Sequence, residues 1–368
     1  MTCSVLHINL SPVWRGGEAQ TLLLARGLHH RGFACRIAAP PDSPLAQHGT
    51  ASGLKVFPLA PRGELDPFAA LRLRRYLHTQ NVRIVHAHTA HAHGTAALAL
   101  LGLRSVPLVV TRRVQRGMSP GPLSRLKYEA CGKIIAISDH IRRLLIEAGL
   151  PAERVVRIYS GIDTNKFKGS ADRAGIRRRL GIAPGCMTVG TVAALTSEKG
   201  LPVLIDAAAL VARRRPHVRF VVVGDGPLRG ELQNRCRELG LDEHVLFTGF
   251  RSDIGGLLSA MDIFAFPSLS EGLGTSTMDA MLAGLPVVAT RTGGIPEIVK
   301  HNESGYLFTR NDHRELARLL GELIDDRGKR RRFGNRGAEL VQRFDITKTI
   351  EATRAVYDEI LRTRGKKR

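Results

Sequence analysis

Aromatic rings, acidic side chains, cysteines and long apolar runs are all scarce in this chain. Aromatic residues are 5% of 368, with one tryptophan. A surface that stacks single-stranded nucleic acid needs such rings repeatedly, so that class is disfavoured. Apolar runs such as TAALALLGL (95–103) stop well short of the roughly 20 residues a membrane-spanning helix needs. The five cysteines (3, 35, 131, 186 and 236) form no CxxC pair. An odd number without that spacing argues against a disulfide framework and fits a reducing cytoplasm. The opening MTCSVLHINL has no basic leader segment and reads as a buried first strand, not a signal peptide. Acidic residues number 33 against 55 lysines and arginines, a formal net charge of +22. Nucleic acid, an anionic membrane surface or a polyanionic substrate would each suit that excess. Much of it lies in runs: RLRRY (72–76), RRR (177–179), ARRRP (212–216), GKRRRF (328–333) and RTRGKKR (362–368). Such runs usually form solvated helix faces and tails, so charge alone names no partner.

What the chain has in abundance is alternation. Short β-branched runs read as strands at 5–10, 35–39, 54–59, 83–88, 107–111, 133–138 and 155–160. The pattern resumes at 187–192, 218–226, 245–250, 263–268, 286–290 and 305–308. Amphipathic stretches lie between them; AQTLLLARGLHHRG (19–32) puts Leu22, Leu23, Ala25 and Leu28 on one helical face. Strand–helix alternation over this length predicts α/β architecture, with parallel sheets and right-handed crossovers. The chain is longer than one core comfortably supports. A polar, basic interruption between about 164 and 185 reads as a linker plus one helix. We therefore expect two doubly wound Rossmann-like domains, 1–165 and 166–345, facing across a cleft, with ligands at the carboxyl ends of strands. The final stretch, 346–368, should form a helix that returns to the N-terminal domain and ends in a basic tail. Ile350, Val356, Tyr357, Ile360 and Leu361 lie near one face of that helix.

Several loops at strand ends carry residues suited to an anionic ligand. In LSPVWRGGEAQ (10–20), Gly16 and Gly17 would let the backbone approach a ligand closely, with Glu18 at a helix start. LTSEKG (195–200) offers Lys199 as a point charge for a diphosphate. In VVVGDGPLRGEL (221–232), Gly224 and Gly226 follow a strand. That pattern suits a phosphate turn or simply a tight strand-to-helix turn. VHAHTAHAH (85–93) holds His86, His88, His91 and His93. A metal site needs imidazoles that converge, yet strand alternation lets only His86 and His88 share a face. One ligand-facing histidine, His88, is the preferred reading. In SEGLGTSTMDA (270–280), Gly272 and Gly274 free a loop before a helix starting at Thr275 or Ser276. Unpaired amides there would point at an anion. Glu271 precedes that helix start and Asp279 lies about one turn into it.

Taken in order, these motifs are similar to the retaining, nucleotide-sugar-dependent glycosyltransferases of family 4, which have the GT-B fold. The resemblance rests on Gly16-Gly17-Glu18, the strand bearing His86 and His88, SGID (160–163), SEKG (197–200), VGDGPL (223–228), FTGF (247–250), PSLSEGLG with Asp279, and AGLPVVATRTGGIPEIV (283–299). It implies that Glu271 lies near the donor sugar's hydroxyls and Asp279 grips the ribose. Lys199 and Gly17 would lie at the diphosphate, and the amides around Gly274, Thr275 and Ser276 at the distal phosphates. His88 would stand beside the transferred sugar. Gly16, Gly224, Gly226, Gly249, Phe250, Gly272 and Leu273 complete the implied donor site. A cation and a helix N-terminus would stabilise the departing diphosphate without a metal or other cofactor. The leaving oxygen itself would take the acceptor's proton in a front-face attack.

Three positions depart from the family pattern. Asp279 stands where a glutamate is usual, Ala194 where an arginine often clamps the diphosphate, and Ser160 where the turn often begins with asparagine. Arg112, Arg113 and Arg251 are candidates to substitute for the missing cation. The expected donor is a UDP-, GDP- or ADP-sugar, and the acceptor a glycan or lipid-linked sugar in cell-envelope polysaccharide or lipopolysaccharide synthesis. An anionic membrane surface is a further expected partner, and nucleic acid is not. A GT-B nucleotide-sugar epimerase and a basic nucleic-acid-binding protein are the alternatives. A nicotinamide oxidoreductase is disfavoured because the first βα turn lacks GxGxxG.

Overall fold

The computed structural model describes residues 3–103, 105–113, 127–167, 169 and 172–365, with residues 364 and 365 by backbone alone. The described chain forms two compact units. One runs to Gly161 and resumes at Ile346; the other spans Ile162–Asp345. In the first unit the strands are β1 (Ser4–Ile8), β2 (Ala34–Ala39), β3 (Lys55–Pro58), β4 (Ile84–Ala87), β5 (Leu108–Arg112), β6 (Cys131–Ala136) and β7 (Val155–Arg157). Their spatial order is β3-β2-β1-β4-β5-β6-β7, and every pairing is parallel. The second unit contains β8 (Met187–Val192), β9 (Val218–Val223), β10 (Val245–Gly249), β11 (Ile263–Phe266), β12 (Val287–Thr290) and β13 (Gly305–Phe308). They are again parallel, in the order β10-β9-β8-β11-β12-β13. Each expected strand is present, and each unit is a Rossmann-like domain. Strand order reverses between β1 and β4 in the first unit and between β8 and β11 in the second. Loops diverge at such points and leave a crevice at the carboxyl ends.

Sheets covered on both faces read as continuous apolar runs, and β1, β4, β11 and β12 are wholly buried. The second core packs Leu204, Ile205 and Val211 of the helix Leu201–Arg214 with Leu316, Leu320 and Leu323 of the helix His313–Asp325. In the first unit, the helix Gly16–His29 buries Leu22, Leu24, Ala25 and Leu28. Leu23, expected on that face, is only half-buried, and Leu24 takes its place. The inward stripe follows Thr21, Leu24, Ala25 and Leu28, the three- and four-residue steps of a helix.

The helix Ile346–Gly365 belongs to the first unit, as expected of a returning C-terminal helix. Ile350, Val356, Tyr357 and Ile360 join the core around Leu28, Ile37 and Ile135, with Leu361 packed partly against it. Gly27 makes this approach possible, because a Cβ there would lie 2.1 Å from Cδ1 of Ile350. The polar interruption contains the helix Arg173–Arg179. Its arginine run is not simply a solvated face. Arg177 is buried, donating to the carbonyls of Ala260 (3.0 Å) and Cys186.

Candidate active site

In the second unit, β8 leads into a short turn, Ser197–Lys199, before the helix Leu201–Arg214. The loop after the neighbouring β11 is tied to it. Leu269 N–H donates to the Glu198 carbonyl (2.8 Å), and the Ser268 hydroxyl donates to the same oxygen (3.0 Å). This joins Lys199 and Glu271 in an ion pair whose side chains are 22% and 12% exposed. Ser268 Oγ also donates to Glu271 Oε1 (3.2 Å), and Lys199 Nζ lies 5.7 Å from the centre of the Phe266 ring. A mostly buried pair with one extra donor is fixed in place. It offers a cation and a carboxylate side by side at the switch point.

The helix Thr275–Leu282 begins beside this pair in sequence. Gly274 caps it at φ 93°, a conformation that favours glycine, and supplies no side-chain cap to its first amides. A bare helix N-terminus suits an anion. Thr275 and Ser276 are partly exposed, whereas Gly272 and Gly274 are buried. Leu273 is buried at 1% exposure, so its side chain is a packing residue. Asp279 lies in the second turn and pairs with Lys166 from the segment entering this unit. Burial raises the Asp279 carboxyl above its ordinary pKa, and the Lys166 ammonium opposes that rise.

The glycines of VGDGPL have a packing role. A Cβ at Gly224 would sit 1.9 Å from the Ala193 carbonyl, and one at Gly226 would sit 2.6 Å from that of Leu195. Their absence lets the loops after β8 and β9 bond directly, through Leu195 N–H to the Asp225 carbonyl and Leu228 N–H to that of Leu195 (both 3.0 Å). Gly224 N–H also donates to the Gly249 carbonyl (2.9 Å), while Phe250 stands out at 65% exposure. Arg251, a candidate for the missing clamp, is held by both Asp253 oxygens at 2.8 and 2.6 Å.

The first unit's switch point has a different chemistry. Gly16 and Gly17 open the helix after β1, and Glu18 accepts from the backbone of Arg15 (3.0 Å) and from Asn9 (3.2 Å). His88, just past β4, bonds through Nε2 to Nδ1 of His7 on β1 (3.1 Å). Its Nδ1 faces an Arg113 nitrogen at 3.5 Å, and Arg113 also donates to Ser160 Oγ (3.1 Å). A guanidinium only donates, so this contact makes His88 Nδ1 the acceptor. Nε2–H of His88 then donates to His7, whose own proton lies on Nε2. That nitrogen is buried without a hydrogen-bond partner among the described residues. His86 is engaged at both ring nitrogens, by Tyr357 OH (2.6 Å) and Thr111 Oγ1 (2.7 Å).

These imidazoles are held neutral. Burial lowers His7 to about 3. His86 and His88 fall well below the usual histidine value, both mainly through burial, His86 then through His7 and Arg113, and His88 through His86, His7 and Arg113. Burial brings Arg113 down to about 10, with Glu18 opposing, so it stays charged at neutral pH.

Ring nitrogens of His7, His86 and His88 lie within 4.8 Å of one another, a spacing that could hold a metal ion. All of these nitrogens except His7 Nε2 are otherwise committed. An ion would displace Tyr357 or Thr111 from His86, and either His7 or Arg113 from His88. The four histidines of VHAHTAHAH do not converge. His93 bonds to the Lys127 carbonyl (3.0 Å) and Cys131, and His91 is exposed. Sequence reading paired His86 with His88 but missed His7 and Lys166. A histidine inside the apolar SVLHI strand was the available signal for the first; nothing local marked the second.

Residues 14–166 match the family model described as Glycosyltransferase Family 4, and residues 172–340 match that of Glycosyl transferases group 1. The GDP-mannose-dependent alpha-(1-6)-phosphatidylinositol monomannoside mannosyltransferase of Mycobacterium tuberculosis is 30% identical over 297 residues, covering 75% of each chain. This chain belongs to glycosyltransferase family 4. As a family 4 glycosyltransferase, it is also similar to the lipopolysaccharide core biosynthesis mannosyltransferase LpsB of Rhizobium meliloti. That relative is 30% identical over 213 residues, 56% of this chain and 61% of LpsB. Among solved structures, Anabaena Alr3699/HepE in complex with UDP and glucose matches with a TM-score of 0.88 at 27% identity, over 97% of this chain and 100% of that one. The two Rossmann-like units of this glycosyltransferase are thus those of the GT-B fold.

Proposed function

We propose that the enzyme transfers a sugar from a nucleotide-sugar donor to a glycan or lipid-linked acceptor, with retention of anomeric configuration, in cell-envelope polysaccharide or lipopolysaccharide synthesis. The observation that carries this reading is the Lys199–Glu271 pair at the second unit's switch point, in the loop leading to the uncapped helix Thr275–Leu282. Lys199 and the helix N-terminus would meet the charge that develops on the leaving diphosphate. Glu271 would hold hydroxyls of the donor sugar, and Asp279, steadied by Lys166, the ribose diol. His88, neutral and fixed in one tautomer, would present an uncharged imidazole to the transferred sugar. On this reading the second unit binds the donor and the first the acceptor, and no metal takes part. The UDP of the HepE complex and the GDP-mannose dependence of the mycobacterial relative support a nucleotide sugar as donor. The LpsB likeness supports a cell-envelope product. We place the enzyme in the cytoplasm, peripherally on the plasma membrane's inner face. No helix among the described residues is long and apolar enough to cross a membrane.

Donor turnover with and without a lipid or oligosaccharide acceptor, followed by NMR of the product anomer, tests the proposal. Acceptor-dependent transfer with the donor's configuration kept is the expected result. Acceptor-independent epimerisation, or an inverted product, would overturn it.

A further inference from the structure

We infer that the outward face of the helix Pro67–Thr79, with the loop before it and Leu101 beside it, is a docking surface for an anionic lipid bilayer. The inference gives a defined surface to the membrane association proposed above, which rested on net charge alone. The helix is amphipathic in an unusual way. Ala69, Ala70, Leu73 and Leu77 face inward and are buried. The opposite stripe reads Phe68, Leu71, Arg72 and Arg75, at the three- and four-residue steps of one helical face. Phe68 is 74% exposed and Leu71 63%, with Leu65 at 52% and Leu101 at 69%. A soluble surface rarely gathers large apolar side chains in this way, and such a patch marks an interaction site.

Charge decides the kind of partner. Arg62, Arg72, Arg74 and Arg75 are exposed around these side chains, and none forms an ion pair among the described residues. Arg74 donates to the Leu101 carbonyl (2.7 Å) and Arg72 to that of Pro58 (3.3 Å), which holds their guanidinium groups at the patch. The two acids nearby are already used. Asp66 caps the helix, accepting from the Phe68 and Ala69 amides and from the Arg62 backbone, and Glu64 pairs with Lys127. Apolar tips ringed by uncompensated guanidinium groups match a bilayer, whose interface accepts rings and leucines while its anionic headgroups attract the arginines.

The test is co-sedimentation of the full chain with vesicles of phosphatidylcholine alone or mixed equally with phosphatidylglycerol. Three double variants are compared: Phe68→Ser with Leu71→Ser, Arg72→Glu with Arg75→Glu, and Arg213→Glu with Arg214→Glu. The third makes the same charge change on exposed residues at the end of the helix Leu201–Arg214. Thermal melts confirm that all three fold. Expected is binding to the anionic vesicles that falls at least about tenfold in the first two variants and stays near wild type in the third. Equal losses in the two arginine variants would show binding by net charge alone and overturn the inference. So would unchanged binding in the first two, no vesicle binding, or sedimentation as a dimer that the Phe68 and Leu71 changes abolish. Donor turnover is measured in parallel. A wild type that turns over donor but binds no vesicles counts against this surface and leaves the proposed transfer standing.

Discussion

The two switch points of this protein occupy equivalent places in two similar sheets, yet their chemistry is opposite. In the first unit, His7, His86 and His88 are almost fully buried, hydrogen-bonded at every ring nitrogen but His7 Nε2, and driven neutral by burial. In the second, Lys199–Glu271 and Lys166–Asp279 are ion pairs that keep part of their surface in solvent. A buried neutral network rigidifies but offers little charge, whereas a partly exposed ion pair keeps formal charges where a charged ligand can meet them. The Rossmann-like sheet supplies the position, and the side chains at the strand ends decide what the position does. The comparison assigns stability to His7 and His86, which hold His88 neutral and in place, and handling of charge to the second cluster.

The largest expected effect falls on Lys199. Lys199→Met should lower kcat/KM by roughly 10²–10³, the cost of losing one preorganised charge stabiliser, while the melting temperature hardly moves. Steady-state kinetics and calorimetry read the two sides. A large fall in stability with intact kcat would reverse the contrast. His86→Ala is the opposite probe. It removes two buried hydrogen bonds and leaves a cavity, so it should cost about 3 kcal/mol by chemical denaturation.

The histidine cluster also predicts a pH dependence. His7, His86 and His88 have folded pKa values below the ordinary 6.5, so the unfolded chain binds more protons below that pH. Their contribution is therefore present above pH 6.5 and is lost as pH falls from 6.5 toward about 3, where His7 itself titrates. Stability measured between pH 6.5 and about 5, above most carboxylate titration, should decline with a slope that His7→Gln reduces by up to about 1.4 kcal/mol per pH unit. An unchanged slope would mean that His7 is not held neutral. The smallest effect is expected at Asp279→Glu. Restoring the methylene common in the family should alter the donor KM by only about two- to fivefold, with kcat nearly unchanged. A donor lacking the ribose hydroxyls should show no such change.

The sheet architecture was legible because each strand is a short β-branched run between amphipathic helices, a local pattern that needs no tertiary knowledge. The loop carrying Glu271 was legible for a related reason: glycines, a helix start and two acids lie within one short stretch. Side chains that meet through the fold were not legible. His7 and His88 are 81 residues apart, and His86 and Tyr357 are 271 apart. Lys166 reaches Asp279 across 113 residues. No periodicity connects such positions; only the parallel crossovers bring them together. Leu24 displaced Leu23 because a single step along a helix turns the side chain by about 100°, finer than an apolar run resolves. Gly224 and Gly226 suited a phosphate turn and a tight turn equally, because close backbone approach to a ligand and to another loop demand the same residue.

The central claim is that the second unit's switch point binds a nucleoside diphosphate through Lys199. Calorimetric titration of UDP-, GDP- and ADP-sugars in the presence of a chelator, on the wild type and on Lys199→Met, tests it most directly. The account predicts that at least one donor binds without metal and that the substitution weakens it by about a hundredfold. Donor binding that is indifferent to Lys199, or that appears only with a divalent cation, would contradict it.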